Sequence, residues 1–333
     1  MTAIRIESFR HEDPEGVAGF RTLEPPAPFD LARPPAADSH LLLALRDDAP
    51  AARVSYRIVS GMHGAPELTG VVGHYEARDD EAGVAVLREA VSLLADAGAE
   101  LVVGPMEFTT WGRYGLALDR TEAGDPPPFL TEPVNPAAYP AQFEAAGLTP
   151  IAHYESEIVE DLCALTDRSR QVEKQLSLAG HRIEPMNPDR FGGTLDGLYD
   201  LSMRALAETP FFSPITRAEF QAMYEPVRSF LDPDLVLLAR DAEDAVIGFI
   251  FGLPDVLEAA GAQPTRVVVR SLAVQAAEPG VNSLLVHALH RRAAGRGYQS
   301  AIHALMQVKT PNARTPALGG AIYRRYALFG REP

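Results

Sequence analysis

The sequence predicts an α/β protein of the mixed α+β kind, made of two similar units in tandem. Each unit is expected as a twisted, mostly antiparallel sheet flanked by helices. Three observations predict it. The chain has 333 residues, enough for two domains that each bury a core. A strand, a turn, an amphipathic helix and a second strand occur twice, as HYEARDDEAGVAVLREAVSLLADAG then ELVVGPM, and as SLAVQAAEPGVNSLLVHALHRRAAG then SAIHALM. Laid on each other at a fixed offset of 197, these stretches place Glu81 on Glu278, Gly83 on Gly280, Val84 on Val281, Leu87 on Leu284 and Gly98 on Gly295. A period this long is the repeat of a whole domain, not of a short solenoid unit.

Each element follows from local pattern. IRIESF reads as a first strand, and the proline-rich stretch from Gly19 to Ser39 as loop. HLLLALRDD, ARVSYRIVSGM and LTGVVGHYEAR read as three strands. Val84, Leu87, Val91 and Leu94 recur at helical spacing, and Gly98 can end that helix. ELVVGPM is a short buried strand, YPAQFEAAGL a short helix and TPIAHYESEIV a strand. The polar TDRSRQVEKQLSLAG predicts a connecting helix, so the expected division is 1–166, a connector at 167–179, and 180–333. The second unit then runs HRIEPMN as strand, TLDGLYDLSMRALAET and TRAEFQAMYEPVRSFL as helices, and LVLLARDAEDAVIGFIFGLP as a hairpin turning at DAED.

Composition excludes several classes. The net charge of -15 argues against general nucleic-acid binding. No run of 18 apolar residues predicts a membrane span, and the N-terminus lacks the basic-then-apolar pattern of a signal peptide. The lone Cys163 can form no internal disulfide; with the rest, this fits a reducing cytoplasm. No nucleophile elbow, Walker loop or dinucleotide fingerprint is present. His287 and His290 stand three apart on a helix with no acidic partner close in sequence, so no metal site is expected. The charge is uneven. From Gln263 to Pro333 there are ten Lys or Arg against two acids, a net of +8, and the remainder carries -23. That suits either an anionic ligand for the C-terminal part or a contact with the chain's own acidic half.

The turn QAAEPG between VVVRSLAV and VNSLLVHALHRRAAG carries the sharpest signal. A helix N-terminus presents unpaired N–H groups and partial positive charge, which suit a phosphate, and a glycine lets the backbone come close. The same geometry also serves as a plain chain reversal. In the first unit Asp79, Asp80 and Glu81 crowd the corresponding turn. Each would repel a pyrophosphate by roughly a kcal/mol or more when partly shielded from water.

The element order, with LAVQAAEPGVNSLL, resembles the GNAT acyltransferase superfamily, whose acyl-CoA segment is a strand followed by Gln/Arg-x-x-Gly-x-Gly/Ala and a helix. TPFFSPITRAEF, LDPDLVLLARD, GFIFGLPD and GAIYRRYALF resemble a bacterial group of GNAT-type proteins. The resemblance covers essentially the whole chain, as two tandem GNAT-like domains. It implies an acyl-CoA cosubstrate, acetyl-CoA first among them, and transfer to a small-molecule amine acceptor. Leu272, Ala273 and Val274 would pair with the pantetheine arm. Gly280, Val281, Asn282 and Ser283 would offer N–H groups to the phosphates, and Asn312 would orient the cofactor arm or simply cap a helix. The sequence departs from the motif at Ala277, at Pro279, which has no N–H, and at Asn282. In the first unit the crowding acids imply that cofactor binding is lost.

For the chemistry, the resemblance implies a base to take the amine proton and a Tyr to protonate the leaving thiolate. VVVRSLAV holds no Glu, and the expected Tyr window, NARTPAL, holds no Tyr. The candidates are therefore His303 on SAIHALM and Tyr323, with Tyr326 three positions on; each reads more readily as packing. GPMEFTTWGRYGL gathers Phe108, Trp111 and Tyr114 beyond a buried strand, either as a pocket wall or as an aromatic plug. A tandem module that binds a metabolite and catalyses nothing is the rival reading.

Overall fold

A computed structural model describes residues 3–23, 35–107, 109–119, 125–163, 167–225, 228, 231–258, 263–275, 277–308 and 320–332. Ile4–Phe9 forms β1. Asp13 then caps α1 (Pro14–Arg21) by accepting from the N–H groups of Glu15 and Gly16, and Pro14 sits in the first turn, where no N–H is needed. Proline content predicts loop from Gly19, yet the last helical turn reaches Arg21, because Phe20 is buried against Phe9. A meander follows: β2 (His40–Arg46), β3 (Ala49–Val59) and β4 (Thr69–Ala77). Helix α2 (Asp80–Asp96) buries Val86, Leu87, Ala90, Val91 and Leu94 on that sheet, as its spacing predicts. It leads to β5 (Leu101–Gly104), the short β6 (Leu116–Ala117), α3 (Tyr139–Ala145) and β7 (Thr149–Val159).

A helix, α4 (Asp167–Leu178), follows. Beyond it come β8 (Arg182–Pro185), α5 (Phe191–Ala205) and α6 (Arg217–Tyr224). The last is closed by a capping box between Thr216 and Glu219. Then follow β9 (Val236–Arg240), β10 (Val246–Pro254), β11 (Arg266–Val274), α7 (Val281–Gly295), β12 (Ser300–Gln307) and β13 (Ala321–Arg331). Among the described residues no helix is long and apolar enough to cross a membrane.

All strands belong to one sheet in the order β1-β2-β3-β4-β5-β13-β7-β12-β11-β10-β9-β8, with β6 beside β13. Two neighbour pairs are parallel, β4 with β5 and β11 with β12; α2 and α7 make the crossovers. The centre joins the halves by exchange. The C-terminal strand β13 pairs with β5 of the first half, while β7 of the first half pairs with β12 of the second. Each half therefore ends on the other's edge. The division at 167–179 falls on a helix, but the sheet runs on across it. Tyr326, Ala327, Leu328 and Phe329 of β13 are fully buried in this seam.

The repeat holds in element order with a shifted register. The first paired residues of the parallel ladders, Thr69 and Arg266, do differ by 197. The helix caps, however, are Asp79 and Gly280, and Gly83 lies inside α2, where an added Cβ would stand 2.3 Å from the Tyr75 hydroxyl. The left-handed glycines after the helices are Gly98 (φ 89°) and Gly297 (φ 92°); Gly295 is helical. The second half thus spends more residues between strand and helix, and α7 has 15 residues against 17 in α2.

Candidate functional sites in the two splayed clefts

Both parallel ladders are short. β4 pairs with β5 only from Thr69 to Val71, and β11 with β12 only from Arg266 to Val269. Beyond those points the strands part, which opens one cleft in each half. In the second half a bulge accompanies the parting: Phe251 faces Ser271 while Gly252 faces Val269, so Arg270 is the extra residue on β11. Leu272, Ala273 and Val274 pair with Ile250, Phe249 and Gly248 of β10, and their opposite edge faces the parting. Leu272 is 37% exposed, a high figure for leucine in a strand.

The turn after β11 ends at Gly280, whose φ of 91° is the left-handed conformation that glycine adopts without a Cβ clash. It is the N-cap of α7 and has no side chain to cap it; within the first turn the Ser283 N–H donates to Asn282 Oδ1 at 2.9 Å and the Val281 N–H to the Glu278 carbonyl at 3.4 Å. Val281 is buried in the core under α7; Asn282 and Ser283 are exposed on the first turn. The first helical bond runs from Leu284 N–H to the Gly280 carbonyl. The turn's own acid, Glu278, contacts His181 at 3.1 Å. Leu272, Ala273 and Val274 at the end of β11 and Gly280, Val281, Asn282 and Ser283 at the start of α7 thus lie on either side of one turn, with Val281 turned into the core. Asn312, Lys309, Arg314 and the NARTPAL window lie outside the described residues.

The first half closes the same position. Asp79 caps α2 by accepting from Ala82 N–H at 2.8 Å, and Arg46 binds Asp79 at 2.9 Å and Glu81 at 2.7 Å. The Ala82 N–H holds the Asp79 carboxyl below its ordinary range, and Arg46 adds to the effect. A carboxylate stands where a phosphate would have to bind.

The first half's cleft is nevertheless lined with chemistry. It runs between β4 and the continuation of β5, as a small cavity of about 50 Å³ that opens to solvent. Glu76, Glu107, Arg113 and Tyr139 line it, with His74 and Tyr114 beside them. Glu76 accepts from the Tyr139 hydroxyl at 2.8 Å, and burial raises its carboxyl above the ordinary range against that bond. Glu107, 5% exposed, accepts from Arg113 Nε at 2.8 Å. The strands approach tightly here: a Cβ on Gly73 would lie 2.2 Å from the Met106 carbonyl oxygen.

The two expected acid–base candidates are otherwise engaged. His303 is 3% exposed, and its Nε2 lies 2.9 Å from Nε2 of His290 on α7. Burial pushes His303 down to about 3 and His290 down to about 4. The ring belongs to the layer beneath α7 and does not face an open cleft. Tyr323 donates to the Pro127 carbonyl at 2.5 Å, accepts from Arg266 at 3.3 Å and packs its ring edge on Phe129. It holds the loop that leads to Glu132. Tyr326 is fully buried and donates to Glu132, which also binds Arg324. Trp111 donates to the Ser213 carbonyl at 3.0 Å and packs on Phe212 and Phe220, so it acts as a plug between the halves. Phe108 lies outside the described residues. Sequence reasoning missed Glu76, Glu107 and Tyr139. The readable signal was the Glu in GHYEA, at the end of the strand that precedes a helix.

No family model matches the sequence, and no curated protein matches it. Solved structures do match in shape. A tandem GNAT protein from the clavulanic acid biosynthesis pathway aligns over 99% of this chain and 98% of its own, at TM-score 0.53 and 14% identity. The fold is that of the GNAT acetyltransferases. A GCN5-related N-acetyltransferase from Sphaerobacter thermophilus aligns over 88% of this chain and 80% of its own (TM-score 0.51, 15% identity). A conserved protein of unknown function from Enterococcus faecalis V583, a probable N-acyltransferase, covers 100% of this chain and 73% of its own (TM-score 0.57, 11% identity). At these identities the likeness concerns the GNAT fold alone. It agrees with two parallel strand pairs that each splay beside a crossover helix.

Proposed function

We propose that this chain is an acyl-CoA-dependent acyltransferase whose cosubstrate binds the second half's cleft, and that it transfers an acetyl group to a small amine. One observation carries the reading: α7 starts at a left-handed Gly280 that has no side chain of its own to cap the helix, beside the end of the short β11–β12 ladder, and a ligand phosphate would displace Asn282 Oδ1 from the Ser283 N–H. Its first-turn N–H groups and partial positive charge suit the pyrophosphate of coenzyme A. The exposed Leu272 and the unpaired edge of β11 suit the pantetheine arm. The contrast with α2, which carries its own carboxylate cap, confines the proposal to the second half.

In the proposed reaction the amine nitrogen attacks the thioester carbonyl. A C–N bond forms, the C–S bond breaks, and the proton lost by the amine ends on the released thiol. The test is thiol release from acetyl-CoA with a panel of small amines. The reading expects turnover with at least one amine, lost in Gly280→Asp. Binding of acetyl-CoA without turnover of any amine favours a second reading, a GNAT-fold module that binds acyl-CoA and catalyses nothing. The burial of His303 and the engagement of Tyr323 support that alternative. No binding at all refutes both.

A further inference from the structure

Among the described residues, the basic excess of the C-terminal stretch is matched inside the chain with one exception in the second half's cleft. Arg266, Arg291, Arg292, Arg296, Arg324 and Arg325 each pair with an acid, and Arg331 is exposed at the end of β13. Arg270 is the exception. It is the extra residue of the β11 bulge and the first residue past the ladder with β12, so it stands where the cleft begins. It is half-buried, and no hydrogen bond or ion pair joins it to a described residue. Its charge nevertheless acts on two phenols, Tyr224 of α6 and Tyr114 of the first half. The Tyr114 ring packs edge-on against Tyr154 at 5.1 Å. The Tyr154 hydroxyl, on a residue 3% exposed, has no hydrogen-bond partner among the described residues. Burial raises all three phenols above their ordinary range, against the Arg270 charge at Tyr114 and Tyr224, so they stay protonated and can donate. A guanidinium without a counter-charge, set among hydroxyl donors, suits a carboxylate, which accepts two parallel N–H bonds from the fork. A doubly charged phosphate would be only half matched.

We propose that Arg270 is the docking point for a carboxylate on the acceptor, which makes the acceptor an amino carboxylate, such as an amino acid, and not a simple alkylamine. The proposal rests on the acyl-CoA reading for the direction of the cleft. With the phosphates at Gly280 and the pantetheine arm along Val274, Ala273 and Leu272, the acyl end arrives beside Arg270. An acceptor held there by its carboxylate presents its amine to the thioester within the length of one small molecule. Both halves build the site, since Tyr114 and Tyr154 belong to the first and Arg270 and Tyr224 to the second. That gives the tandem arrangement a role: neither half alone holds the acceptor.

The test compares amines with and without the carboxylate: alanine against ethylamine, phenylalanine against phenethylamine, and lysine against cadaverine. Saturation-transfer NMR reads binding without turnover, and thiol release from acetyl-CoA reads acceptor use. The expected result is binding and turnover by at least one carboxylate member and neither by its partner amine. Arg270→Gln should weaken that binding and raise KM roughly tenfold or more. Its Tm should match wild type, because the side chain it replaces pairs with no described residue. Arg270→Lys, which keeps the charge without the fork, should fall between the two. Carboxylate binding that is lost in Arg270→Gln, without turnover of any amine, would fail the acyltransferase reading and support the docking point. Equal use of both members of a pair, preference for the plain amine, no binding of any carboxylate member, or full affinity in Arg270→Gln would each overturn the proposal.

Discussion

The buried pair His290 and His303 makes the protein acid-sensitive in a way that can be calculated. Both rings are held neutral by burial, at about 4 and about 3 against an ordinary 6.5, and the nearby His287 adds to the depression of His290. A folded-state value below the unfolded one means that the unfolded chain binds more protons between roughly pH 3 and 6.5. Stability is therefore full above pH 6.5 and is lost as pH falls. At pH 5 each unfolded histidine is almost fully protonated while the folded pair is not, so each contributes a loss of about 2 kcal/mol relative to pH 7.5. Together they remove roughly 4 kcal/mol, a large share of the 5–15 kcal/mol typical of native proteins. The perturbation is His290→Leu/His303→Leu, which replaces two hydrogen-bonded rings with apolar side chains of similar size. The assay is Tm at pH 7.5 and pH 5.0 for both proteins. Wild type should lose roughly 8 °C more than the variant over that interval, at about 2 °C per kcal/mol for a chain of this size. Equal losses would refute the assignment of the acid sensitivity to this pair.

Two further outcomes follow from the seam. Residues 1–166 expressed alone should aggregate or lack cooperative melting, because β5 would lose β13 and β7 would lose both its neighbours, β13 and β12; a folded, cooperative monomer on size exclusion and circular dichroism would contradict the exchange. Glu132→Gln should cost about 3 kcal/mol in denaturant titration, since it strips the close counter-charge from Arg324, which is 1% exposed; a loss under 1 kcal/mol would show that Asp125, 3.8 Å away, suffices.

The elements were legible because they rest on local pattern. The spacing of Val84, Leu87, Val91 and Leu94 fixes α2, and the Asp-Ala-Glu-Asp turn fixes the β9–β10 hairpin. Helix α1 was readable in part, from Asp13 before Pro14 with Glu15 in the first turn, but the prolines that follow masked it. The letters of the repeat gave element order and not register, because a gapless offset cannot see that the turn before α7 is longer. The strand exchange was not legible. Nothing in AIYRRYALFG says whether it pairs with β5 or β12, since both edges are apolar and the choice depends on how the chain crosses the sheet. The site was half legible. A glycine turn before a helix can be read from sequence, whereas the burial of His303 against His290 joins residues from different elements. The same holds for the Glu76–Tyr139 bond, which spans 63 residues.

The central claim is that the α7 turn holds the phosphates of an acyl-CoA. Calorimetric titration of acetyl-CoA into wild type and Gly280→Asp, at low and moderate salt, tests it most directly. The account expects binding near micromolar in wild type, weakened by salt because phosphates meet partial charges at the helix end, and lost in a variant that remains folded. No binding at millimolar acetyl-CoA, or equal affinity in Gly280→Asp, would contradict it.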